Sequence, residues 1–179
     1  MKKLTDNFIY GVYTCRLLSS VINDAEPLAL PEGMTLGGLY AYQKKQDVAN
    51  TAYTALKKLG FDDVELTEFK DDYKLNVLRE ARFELAGQQV FEAFEKAEVA
   101  FIPLKGAVIK NLFPNPSLRT FTDIDIYVGE NLAKAERVLF ELGYEKSGDA
   151  EHNDISYTKK PSLHIELHRD LFPDDYDFD

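Results

Sequence analysis

Two aspartates stand one apolar residue apart in Asp123-Ile124-Asp125, and the run continues as Ile126-Tyr127-Val128. An alternating run of this kind reads as a β-strand, with one acidic and one apolar face. On a strand both carboxylates project to the same side, with Cα atoms roughly 6.6 Å apart. Carboxylates so spaced can converge on one or two divalent cations. In sites that transfer phosphoryl groups, paired metals lie about 3.5–4 Å apart. Without a cation or solvent, the same arrangement costs stability through mutual repulsion. A second alternating segment, His164-Ile165-Glu166-Leu167-His168, supplies a third carboxylate at Glu166.

An acid–apolar–acid triplet also has an ordinary reading as a solvated surface. The chain repeats it at Asp63-Val64-Glu65, Asp175-Tyr176-Asp177 and Asp177-Phe178-Asp179. Context sets the Asp123 copy apart, because it follows an apolar run, Val99 to Leu104, that ends in Lys105-Gly106. His168 shares a strand face with Glu166, which leaves two roles open: a satisfied hydrogen-bonding group, or a residue that orients a ligand or acts as a base. For His164, on the same face, and His152, in a loop, the hydrogen-bonding role is the simpler one.

The elements that must position these residues fall into two textures. Up to Glu98 the chain reads as helical: residues 3–22, then Leu39 to Leu59 stopped at Gly60, then Asp71 to Ala97. Leu75, Leu78, Leu85, Phe91 and Phe94 are expected to form the core-facing side of the last of these. Pro27, Pro31, Gly33, Gly37 and Gly38 mark a loop before the second helix. From Val99 on, strands alternate with helices. A buried strand over Val99–Leu104 leads to one or two helical turns over Ala107–Leu112, a Pro-containing loop, and the Asp123–Val128 strand. A helix over Leu132–Leu142 closes at Gly143, and two strands near Ile155–Thr158 and Leu163–His168 are joined by a tight turn. The expected fold is α+β, with residues 1–98 forming a helical region and 99–179 a core of mixed sheet and flanking helices.

Composition bounds the chemistry. The 179 residues are 45% hydrophobic and 29% charged, which fits a folded domain. Lys and Arg total 21 against 31 Asp and Glu, a net charge of -10, so extended nucleic-acid binding is not expected. Cys15 is the single cysteine, which leaves no intrachain disulfide and points to a reducing compartment. Met1-Lys2-Lys3 superficially looks like the start of a signal peptide, but Asp6, Asn7 and Arg16 interrupt the apolar stretch. No run approaches the length of a membrane span. A cytoplasmic location is the expectation.

Five separated motifs, in order, carry a more specific signal: Pro103-Leu104-Lys105-Gly106-Ala107, Leu118-Arg119, Asp123-Ile124-Asp125-Ile126-Tyr127-Val128, Leu142-Gly143-Tyr144 and Ile165-Glu166-Leu167-His168. Together they resemble the uncharacterised nucleotidyltransferase family of the DNA polymerase β-like superfamily, over roughly residues 99–172. The resemblance implies a minimal polymerase β-like core. It assigns Asp123 and Asp125 to two Mg²⁺ (or Mn²⁺) ions that bridge the phosphates of a nucleoside triphosphate, most readily ATP. It makes Glu166 the third carboxylate, and Lys105, Gly106 and Ala107 the nucleotide-binding turn. Ala107 stands where the wider superfamily usually has serine, which removes a hydroxyl contact to phosphate. Lys105 and Arg119 would neutralise charge on the triphosphate or leaving pyrophosphate; an ion pair with a nearby acid is the other reading of Arg119.

The implied activity is transfer of a nucleoside monophosphate to an unidentified acceptor: a small molecule, a protein or an RNA end. A nucleotide-binding or interaction module without catalysis is the alternative, as part of a larger enzyme or as a toxin–antitoxin type partner. Because the chain ends soon after Glu166, a partner chain or oligomer completing the site is a further expectation.

Overall fold

Thr35 opens the best-defined early helix by accepting the N–H of Gly38 at 3.1 Å, an N-cap that satisfies one otherwise orphaned donor. The computed structural model describes residues 6–120, 122–147 and 154–171; His152 and the two triplets within 175–179 lie outside the described residues. Four helices come first: α1 (Asp6–Ile22), α2 (Leu36–Lys45), α3 (Ala49–Lys58) and α4 (Thr67–Lys96). The single helix expected over Leu39–Leu59 is two helices. Asp47 takes a left-handed φ of 54°, a conformation that Asp tolerates better than most residues, and the chain reverses there. The Val48 N–H returns to the carbonyl of Gln43 at 3.1 Å, closing the end of α2.

Helix α4 begins four residues before the expected Asp71. Its start signal sits upstream: Asp62 Oδ1 accepts the N–H groups of Val64 and Glu65, and Glu65 Oε2 accepts the N–H of Asp62. The expected buried side of α4 is corrected in part. Phe94 is buried and Phe91 packs on the core, but Leu75, Leu78 and Leu85 are exposed. Phe83, Ala86, Val90 and Phe94, spaced by three and four residues, form the buried stripe instead.

The chain divides into two compact units. One contains residues 1–79 and 112–120, the other residues 80–111 and 121–179. Secondary structure changes from helical to mixed after Lys96, where the sequence changes texture, yet α4 contributes to both units. Its second half supplies Phe83 to Phe94 to the sheet core and so packs with the strands. The helical unit has its own core of Tyr13, Leu17, Leu39, Leu56, Leu66 and Phe69. Segment 112–120 belongs to it because Thr51 Oγ1 and Asn50 Nδ2 donate to the Leu118 carbonyl, and Asn76 Nδ2 to that of Ser117.

The second unit holds β1 (Ile102–Pro103), α5 (Lys105–Ile109), β2 (Ile124–Tyr127), α6 (Leu132–Glu141), β3 (Glu145–Lys146), β4 (Asp154–Lys159) and β5 (Leu163–His168). The strands form one mixed sheet in the order β1-β2-β5-β4-β3, with β2 and β5 parallel and the other neighbours antiparallel. The expected buried strand over Val99–Leu104 is a two-residue edge strand with Ile102 exposed. Val99 is in the core and Phe101 packs against it, so the apolar run is shared between core contacts and an edge.

Alternation then sorts the faces. Ile124, Ile126, Ile165, Leu167 and Tyr157 fall in one buried cluster with Val90, Phe94, Ala135 and Leu139 of the helices. Burying these side chains is the main stabilising term, at about 1.5–3 kcal/mol for each large one. The opposite face is left to Asp125, Glu166 and their neighbours, and the apolar core holds that face in place.

Candidate functional site

The parallel pairing of β2 with β5 sets Asp125 directly across from Glu166 and Tyr127 across from His168. Side chains paired in register share a face, so residues 123 and 125 meet residues 164, 166 and 168 on the same side. Two groups of three result. One ligand atom each from Asp123, His164 and Glu166 lies within 4.8 Å of the others, and Asp125, Glu166 and His168 do the same. Glu166 belongs to both.

Asp125 is 3% exposed, deep for a carboxylate. Its Oδ1 accepts from Lys105 Nζ at 2.7 Å and lies 2.9 Å from His168 Nε2. Burial pushes its pKa upward, but the His168 and Lys105 hydrogen bonds outweigh that and hold it below the usual aspartate value. With Asp125 ionised, His168 Nε2 is the donor in this contact. Both partners sit on Oδ1, which leaves Oδ2 outside these two contacts.

Glu166 is shifted the other way. Burial and the charges of Asp123 and Asp125 raise its pKa above the ordinary glutamate value. Glu166 thus feels, beside its burial, the repulsion that the strand spacing predicts.

Lys105 reaches Asp125 through a local feature. The Leu104 N–H donates to the Asp125 carbonyl at 2.9 Å, extending the β1–β2 pairing, and Lys105 then turns with a left-handed φ of 41°. That conformation is costly for a residue with a Cβ. It turns the chain directly from the edge strand into α5, and the Lys105 ammonium holds above Asp125. Gly106 is buried, and the Ala107 methyl packs against the sheet core, so Ala107 offers its backbone rather than a side chain to a ligand.

Arg119 is not brought into this unit. It belongs to the helical unit, where its Nε is buried with no hydrogen-bond partner among the described residues. Two residues escape the sequence reading. His164, for which the sequence favours an ordinary hydrogen-bonding role, stands with Asp123 and Glu166. Asp154, on β4, lies opposite His168 of β5 in register and adds to the charge felt by Glu166. The strand alternation around Glu166 already carried the His164 signal; Asp154 needs the β4–β5 register, which the sequence does not specify.

A family model described as uncharacterised nucleotidyltransferase matches residues 35–179, most of the chain and the whole of the sheet unit. The chain belongs to that nucleotidyltransferase family. No curated protein and no solved structure matches it. The α+β fold with its mixed sheet and helical lead-in is that expected for the family. Among the described residues, no helix of this nucleotidyltransferase-family chain is long and apolar enough to cross a membrane.

Proposed function

We propose that the chain transfers a nucleoside monophosphate from a nucleoside triphosphate, most readily ATP, to an acceptor hydroxyl, with Mg²⁺ or Mn²⁺ held by Asp123, Asp125 and Glu166. One observation carries the reading: two three-residue groups of carboxylate and imidazole donors share Glu166 on a parallel strand pair. The three carboxylates fit these ions, because carboxylate oxygens suit Mg²⁺ and Mn²⁺. Bound there, the ions would stabilise charge on the entering and departing oxygens.

The chain's own residues have separable tasks. Asp125 presents Oδ2 while His168 and Lys105 fix its Oδ1. Lys105, largely exposed, can swing its ammonium from Asp125 to a phosphate oxygen, because its long stem is flexible. The acceptor oxygen forms a bond to the α-phosphorus as the bond to pyrophosphate breaks and its electron pair leaves with pyrophosphate. The acceptor proton passes to Glu166, acting as the base. The buried Gly106 and the backbone of Ala107 border the phosphate end.

The packed methyl of Ala107 favours one second reading, a module that binds nucleotide without turning it over. Incubation of the full chain with each α-labelled nucleoside triphosphate and Mg²⁺ or Mn²⁺, alone and with cell extract, separates the two. Label transfer that disappears in Asp123→Ala/Asp125→Ala supports the transferase. Metal-dependent nucleotide binding with no transfer supports the module, and neither signal refutes both.

A further inference from the structure

The carboxylate row has two unlike ends. His164 and His168 are four residues apart on β5, about 13 Å along the strand. At the His168 end stands Lys105, the cation that the proposed function assigns to the triphosphate. At the other end, His164 lines a cavity of about 590 Å³ at the β4–β5 hairpin. That volume suits a small organic molecule and is far more than a metal ion needs.

The lining has a definite chemistry. Thr158 and Ser162 contribute hydroxyls that both donate and accept, as a polyol requires, and Glu145, opposite Thr158 on β3, adds a carboxylate that accepts from a ligand hydroxyl. Lys159 also lines the cavity but is committed: its Nζ donates to the Leu142 carbonyl at 2.7 Å and lies 5.4 Å above the Tyr144 ring. Lys160 makes no ion pair or side-chain hydrogen bond among the described residues, and its exposed ammonium is the cation free to meet an anionic group. His164 is the shared wall, since it belongs both to the cavity and to the group formed with Asp123 and Glu166.

We propose that the acceptor is a small molecule carrying hydroxyls and one anionic group, held in this hairpin cavity with its anion on Lys160. Its reacting hydroxyl then points past His164 to Asp123 and Glu166. This assignment rests on the transfer reading above and adds to it the class of acceptor and its place.

The test uses the full chain and glycerol 3-phosphate as the probe, with glycerol and inorganic phosphate as its two halves. Backbone amide shifts are followed by NMR without metal or nucleotide. The expected result is a saturable shift of the Lys160, Ser162 and His164 amides with glycerol 3-phosphate, weaker with either half. Lys160→Glu, an exposed turn substitution whose remaining spectrum reports intact folding, should weaken binding about tenfold or more. No saturable shift at the hairpin, or binding unchanged in Lys160→Glu, overturns the proposal. Because the assay needs no nucleotide, hairpin binding without label transfer counts against the transfer reading alone. Label transfer without hairpin binding counts against this one alone.

Discussion

The chain carries the pattern acid–apolar–acid at Asp63-Val64-Glu65 and again at Asp123-Ile124-Asp125, with opposite consequences. The first copy lies in the turn before α4, where Val64 is 82% exposed. Asp63 there accepts from Lys70 at 2.8 Å and Tyr53 at 3.0 Å and pairs with Lys57 at 3.0 Å, which holds its carboxyl well below the usual aspartate range. Glu65 closes a helix cap. Every acid in that copy is matched locally by cations or N–H donors. The second copy lies on a strand against a third carboxylate, Glu166, whose pKa is raised by burial and then by the charges of Asp123 and Asp125. Acidity alone thus marks nothing; what marks the strand copy is a surplus of carboxylates over the cations that face them.

That contrast can be broken or sharpened experimentally. The largest effect should come from Asp125→Asn, which removes a ligand oxygen from the crowded copy. Label transfer in the α-labelled nucleotide assay should fall on the order of 10³-fold or more. Asp63→Asn should leave it unchanged, and equal losses in the two variants would erase the distinction.

A second test concerns carboxylates that do have their cation. Lys110 is buried in the sheet unit and pairs with Glu80 at 3.0 Å and with Glu84. Glu80→Gln/Glu84→Gln takes both carboxylates from a buried ammonium and should cost about 3 kcal/mol in a denaturant titration. The Lys110 hydrogen bond lowers the folded-state pKa of Glu84 below its ordinary 4.5. Its contribution is therefore complete above pH 4.5 and fades as pH falls from there through the lowered value. The double variant should lose less stability than the parent on acidification through that window.

The smallest effect has the opposite sign. Glu166→Gln relieves the crowding, so the metal-free variant should be more stable than the parent by about 1 kcal/mol while losing transfer. A variant less stable than the parent would mean that the three acids are not in conflict.

Much of the fold was legible because its signals are local. Alternation placed β2, β4 and β5, Gly60 and Gly143 sit with positive φ just past helices, and the change in texture marked where the strands begin. The break between α2 and α3 was not legible, since Gln46-Asp47-Val48 contains neither glycine nor proline and Asp47 takes the left-handed turn itself. The exposed side of α4 was missed because Leu75, Leu78 and Leu85 have the right chemistry for a core but lie off the stripe of Phe83, Ala86, Val90 and Phe94. In the site, the spacing of Asp123 and Asp125 was local information. The Lys105–Asp125 contact was not: it depends on a strained turn and on β1 lying beside β2, which no neighbouring residue encodes.

In the proposed site Glu166 is common to two cation positions, one completed by Asp123 and His164 and the other by Asp125, whose Oδ1 is held by His168. Electron paramagnetic resonance of Mn²⁺ binding to the full chain, with a non-hydrolysable ATP analogue present, tests it directly. Wild type should bind two ions, Asp123→Asn and Asp125→Asn one each, and Glu166→Gln neither tightly. Glu166→Gln binding Mn²⁺ as wild type does would contradict the account.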